Sequence, residues 1–138
     1  MLESAVVLVR GENGAQVPLF WHLPEGRTVA SLPDSRDLWS VLWEHRKNLV
    51  GVAHSHPGGG VPGPSYTDVT TFAAVEAGLG VRLNWWITSA THLIVARWVG
   101  PDRLSYEGTL IEEEPLWANL LRDFSEQMKK EREIHNAD

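Results

Sequence analysis

Five apolar residues, Leu49-Val50-Gly51-Val52-Ala53, run without a break into His54-Ser55-His56-Pro57. A short apolar run ending in polar residues predicts a buried strand that stops at a site. From Pro57 to Pro64 come four glycines and three prolines, a composition that continues neither a strand nor a helix. Ser65 then opens a helix predicted to reach about Ala77, with Val69, Phe72, Ala73 and Val75 available to pack. The loop must therefore deliver the first turn of a helix back towards the end of a strand.

The rest of the chain fits around that unit. Ala5 to Val9 and Val17 to Leu23, with an Asn13-Gly14 turn between them, predict a β-hairpin. A short strand is expected over Thr28 to Leu32. A helix capped by Asp34 or Ser35 should run to about Asn48, with Leu38, Val41, Leu42 and His45 at helical spacing. Val81 to Thr88 and His92 to Val99 read as two more strands, and Arg103 to Gly108 as a short edge strand. A long C-terminal helix is expected over about 112–133, with Glu112 to Glu114 in its first turn, where acids favour the macrodipole. Its apolar stripe is Leu116, Trp117, Leu120, Leu121, Phe124 and Met128. Lys129 to Glu133 reads as a solvated helix end and Ile134 to Asp138 as a frayed one. With no internal repeat or linker, the 138 residues read as one α/β domain, a mixed sheet with helices around it.

Composition narrows the chemistry. The chain has no cysteine, so any metal must be held by imidazole and carboxylate groups. Twelve Lys and Arg against 18 Asp and Glu give a formal charge of −6, which argues against a phosphate-backbone partner. No apolar run approaches the ~18 residues of a membrane span. We expect no nucleic acid partner, no membrane, and a cytoplasmic location.

Alternate side chains of a strand share a face, so His54 and His56 point the same way and Ser55 the other. A zinc site needs a third ligand, and a catalytic one keeps a further position open for water. Asp68, in the first turn of the returning helix, is the best candidate. Ser65-x-x-Asp68 is equally a capping box, which needs no metal.

Taken as a whole, His54-Ser55-His56-Pro57, seven residues, Ser65, two residues and Asp68 resembles the metal-binding signature of the JAB/MPN/Mov34 metalloenzymes, the JAMM proteases. The likeness covers roughly Ala5 to Val99 and is strongest from Leu49 to Ala77. It implies a three-layer α/β/α sandwich of the JAB/MPN, cytidine-deaminase-like kind. It implies Zn2+ held by His54, His56 and Asp68, and Ser65 hydrogen-bonding the oxyanion. The implied reaction is hydrolysis of amide or isopeptide bonds at a ubiquitin-like or carrier-protein tail, or in a small peptide. Two alternatives stay open: a non-catalytic protein-binding scaffold, and a zinc hydrolase of a non-peptide substrate. The oligomeric state is not encoded legibly.

The family also uses an upstream glutamate as general base. It usually follows an N-terminal helix and precedes an apolar strand ending in glycine. This chain has no room for that helix. Glu3 precedes the strand Ala5 to Val9 and Gly11, but three residues from the start of the chain is a weakly anchored place. With a two-residue turn at Asn13-Gly14, Glu3 falls opposite Pro24 and Glu25 lies at the same end of the hairpin, so one of the two is the expected base, Glu3 ahead of Glu25. Of the seven tryptophans, Trp39, Trp43 and Trp117 are expected to pack on helical stripes. Trp85 and Trp86 must face opposite ways, one in the core and the other available to rim a cleft. His22, His45, His92 and His135 lack ligand spacing.

Overall fold

The computed structural model describes the backbone of residues 2–137 and side chains as far as Glu126. The sequence readings of Met128, Lys129 to Glu133 and Ile134 to Asp138 concern side chains outside that range. The elements are β1 (Ala5–Arg10), β2 (Gln16–His22), α1 (Arg36–Glu44), β3 (Leu49–Ser55), α2 (Tyr66–Leu79), β4 (Asn84–Thr88), β5 (Leu93–Trp98), β6 (Tyr106–Ile111) and α3 (Leu116–Ala137). One six-stranded mixed sheet runs in the order β2-β1-β3-β4-β5-β6. β3 and β4 are parallel, with α2 as their crossover, and every other pair is antiparallel.

The pleat sorts the apolar residues into two cores. Ala5, Val7, Val52, Trp85 and Ile87 pack with Leu42 of α1 and with Phe72, Val75 and Leu79 of α2. Val6, Leu8, Ala53, Trp86 and Val95 pack with Trp117, Ala118 and Leu121 of α3 on the other side. The fold is thus an α/β/α sandwich around a mixed sheet. Both adjacent tryptophans are buried, Trp85 stacked on Phe72 with centroids 4.3 Å apart and Trp86 edge-on to Trp117 at 5.4 Å. Trp86 is core alone, while Trp85, though buried, also contributes to the lining of a cleft on the α1/α2 side.

Several boundaries differ from expectation for local reasons. The hairpin turn is a single 3₁₀ turn at Glu12–Gly14 with Asn13 at φ 60°, not a two-residue turn. A bulge at Leu19, between the pairs Val7–Phe20 and Leu8–Pro18, then restores the register of Ala5 opposite His22. Thr28 to Leu32 forms no strand, because Thr28 uses its N–H and hydroxyl within its own turn, bonding Ser31 and Ala30. Ser35 is the cap of α1, accepting the Leu38 N–H at 3.1 Å, and the helix ends at Glu44, followed by turns to Asn48. Trp39 and Trp43 do not pack inside. The buried side of α1 is taken by Leu38, Val41 and Leu42, while Trp39 donates to Asp34 and Trp43 lies under the Arg46 guanidinium. The edge strand starts three residues later than expected, since Asp102 to Ser105 is a hydrogen-bonded turn. The C-terminal helix begins at Leu116 rather than near 112. Ile111 is still paired with Leu93, and Pro115 supplies the first carbonyl, so Glu112 to Glu114 precede the helix instead of lying in its first turn.

Candidate metal centre

β3 ends on the α1/α2 side of the sheet with His54 and His56 directed together. Their Nε2 atoms are 2.9 Å apart and the rings meet edge-on. Phe72, one turn beyond Asp68 in α2, lies edge-on to the His54 ring at 6.2 Å. α2 begins with the capping box expected from Ser65-x-x-Asp68: Ser65 Oγ accepts the Asp68 N–H at 3.0 Å, and Asp68 Oδ2 accepts the Ser65 N–H at 2.9 Å. The same carboxylate faces the rings, with Oδ1 at 3.6 Å from His54 Nε2 and Oδ2 at 3.2 Å from His56 Nε2.

These three residues form a group able to hold a metal ion, the one such cluster among the described residues. Ligand atoms about 2.1 Å from a tetrahedral ion stand roughly 3.4 Å apart. The ring nitrogens stand 2.9 Å apart, and each approaches a different Asp68 oxygen, at 3.2 Å for His56 and 3.6 Å for His54, separations of the same order. Two imidazoles and one carboxylate are also the donor set that suits zinc in a cysteine-free chain.

Burial alone would raise the Asp68 carboxyl, but hydrogen bonds from His54 and His56, and that from the Ser65 N–H, hold it well below the ordinary carboxylate range. The hydrogen bond to Asp68 raises His56 against the opposing effect of burial. Asp68 is therefore anionic under all ordinary conditions, as a ligand must be.

Glu3 joins this group. The Ser55 N–H donates to the Ser4 carbonyl at 2.9 Å, which continues the β1–β3 ladder past the pair Ala5–His54 and brings Glu3 level with His56. Glu3 lines the same cavity as His54, His56, Ser65 and Asp68, a cleft of about 760 Å³ between α2 and the segment leading into α1. Burial raises the Glu3 carboxyl, and the charges of His54 and His56 oppose that rise. Glu25 is exposed and does not line the cleft.

Other contributors gave no signal in the sequence. His22 lines the cleft, its Nε2 2.6 Å from the Pro33 carbonyl, and so ties the α1-side rim to β2. The glycine loop is fastened from the β4–β5 turn. Thr91 Oγ1 accepts the Gly60 N–H at 2.9 Å and Ser89 Oγ donates to the Gly60 carbonyl at 2.5 Å. Gly60 has φ 85°, a conformation that favours glycine. From α3, Arg122 Nε donates to the Ser89 carbonyl at 2.9 Å, while its Nη1 pairs with Glu114.

No helix among the described residues is long and apolar enough to cross a membrane. No curated protein matches the chain. The family model of prokaryotic homologs of the JAB domain matches residues 1–103, from the Glu3 segment through the connection between β5 and β6. With that match laid over the mixed sheet and the His54–His56–Asp68 cluster, the chain belongs to the prokaryotic JAB-domain family.

Proposed function

We propose that the protein is a zinc-dependent hydrolase of amide or isopeptide bonds, a JAMM-type metallopeptidase. Its substrate would be the C-terminal tail of a ubiquitin-like or sulfur-carrier protein, or a small peptide. The observation that carries this reading is that Glu3 opens into the same cleft as the cluster formed by His54, His56 and Asp68. A metal-holding scaffold without catalysis has no need of a carboxylate there.

His54 and His56 would hold the ion through Nε2, and Asp68 through its carboxylate. A zinc ion supplies, when bound, an acidified water and a Lewis acid for the substrate carbonyl. Glu3, with its pKa raised by burial, accepts the proton from the attacking water and returns it to the leaving amine. Ser65 has spent an oxygen lone pair on the Asp68 N–H, so its hydroxyl proton remains free to donate to the oxyanion. The amide carbon gains the water oxygen, the C–N bond breaks, and the amine leaves protonated. An extended tail of small residues suits a cleft lined by Pro57, the residue from which the glycine loop departs.

The test is a cleavage assay on fusions carrying a carrier-protein tail that ends in Gly-Gly, run beside amidine deamination substrates. We expect hydrolysis of the fusions, a loss of about 10²–10⁴-fold in kcat for Glu3→Gln, and little change for Glu25→Gln. Full activity in both variants contradicts the assignment of the base. Turnover of the amidines alone contradicts the peptidase reading.

A further inference from the structure

Glu3 precedes β1, and what fixes it lies on the opposite face of the sheet. Ser4 and Ser55 point towards α3, where both are fully buried with Ser125. The Ser4 N–H donates to Ser55 Oγ at 2.9 Å. Ser125 Oγ lies 2.9 Å from Ser55 Oγ and 3.2 Å from Ser4 Oγ, and the Ser125 carbonyl accepts the Leu2 N–H at 2.8 Å. Arg27 closes the cluster. Its Nη1 donates to Ser4 Oγ and its Nη2 to the Phe124 carbonyl at 3.1 Å, while the adjacent Thr28 carbonyl accepts the Glu3 N–H at 2.8 Å.

Arg27 is an expensive residue to place there. It is 5% exposed, its Nε has no hydrogen-bond partner, and no carboxylate lies within ion-pair distance among the described residues. Burying a cation with no carboxylate beside it among the described residues opposes folding, and an aliphatic side chain would fill the space at lower cost. What a guanidinium adds is two directed donors that tie Ser4 to α3 across the end of the sheet.

We propose that Arg27 and Ser125 are positioning residues that clamp Ser4 against Ser55, and so hold Glu3 level with His56 on the other face. This rests on the reading of Glu3 as the base. It also gives α3, which lies beyond the segment matched by the family model, a part in setting the site.

The experiment compares full-length wild type with Arg27→Met, Arg27→Lys and Ser125→Ala by three readouts. These are amide hydrogen exchange at Leu2, Glu3 and Ser4, zinc content after purification, and kcat and KM on the Gly-Gly tail fusion. Expected for Arg27→Met and Ser125→Ala is a loss of protection of about tenfold at those three amides, with the rest of β1 still protected. Zinc content should equal wild type, and kcat should fall with KM unchanged. Arg27→Lys, with one donor nitrogen in place of the two that reach Ser4 and Phe124, should recover part of both effects. Should Arg27→Met fail to fold, Ser125→Ala carries the same test. Unchanged protection at Leu2 to Ser4, loss spread over all of β1, or lost protection with unaltered kcat each overturns the clamp. Absence of hydrolysis by wild type itself overturns the functional reading instead, and the exchange data still decide the clamp.

Discussion

The Asp68 carboxylate accepts the Ser65 N–H at 2.9 Å and, through the same Oδ2, stands 3.2 Å from His56 Nε2. The capping box and the candidate metal cluster therefore share one oxygen. From the sequence these are rival accounts of Ser65-x-x-Asp68, and the fold satisfies both. The cap orients the carboxylate before any ligand arrives, so the site is held by ordinary helix chemistry.

That sharing separates two variants of Ser65. Ser65→Ala should cost about 1 kcal/mol of stability through loss of the cap, whereas glycine at a cap costs only a few tenths. Both lack the hydroxyl donor, and both should lose on the order of 10²-fold in kcat. Thermal melts and steady-state kinetics on the pair check this. A Ser65→Gly enzyme with wild-type kcat would leave Ser65 as a cap alone.

Gly51 sits in β3 three residues before His54 and pairs with Asn84 of β4. A Cβ built there would lie 1.8 Å from the Asn84 carbonyl oxygen, a backbone atom of the paired strand. Gly51→Ala should therefore force β3 and β4 apart and cost at least about 3 kcal/mol, the upper range for strain in a packed core. Urea unfolding measures it, and a near-neutral result would mean the two strands can shift without loss.

Glu76 is a buried carboxylate that accepts from Arg82 Nη1, the Leu83 N–H, Trp85 Nε1 and the Tyr106 hydroxyl. Burial, with the hydrogen bond to Glu76 and its charge, raises the Tyr106 phenol above its ordinary value of 10. A raised folded pKa gives stability that is fully present below the unfolded value and is lost as pH climbs towards the folded one. Stability should fall from about pH 10 upward, since the unfolded chain releases a proton that the native state retains. Tyr106→Phe should be less stable by roughly 1–3 kcal/mol at neutral pH and should lack that alkaline slope. Melting temperatures of both proteins between pH 8 and 11 test it, and parallel curves would contradict it.

The fold and the three clustered side chains were legible because they follow from short-range rules. Alternation put His54 and His56 on one face, the glycine–proline loop forced the chain to return, and capping chemistry located Asp68. The continuous apolar runs of β1 and β3 read directly as buried strands, whereas the burial of both Trp85 and Trp86 did not, because alternation alone does not show that helices cover both faces of β4. What escaped was the polar packing between segments distant in sequence. Nothing near Arg27, Ser125 or Ser89 announces that Arg27 meets Ser4 across 23 positions, Ser125 meets Ser55 across 70, or Ser89 meets Gly60 across 29. Single serines and an isolated arginine carry no periodicity. The exposed Trp39 and Trp43 misled for the opposite reason, since helical spacing shows which residues share a stripe but not which stripe faces inward.

The central claim, that two imidazoles and one carboxylate grip a divalent ion, is tested most directly by the zinc content of protein purified without added metal, wild type beside His56→Ala. We predict about one zinc per chain in the wild type and a large loss in the variant, because a three-ligand site cannot spare a ring. Equal zinc in the two proteins would contradict the account.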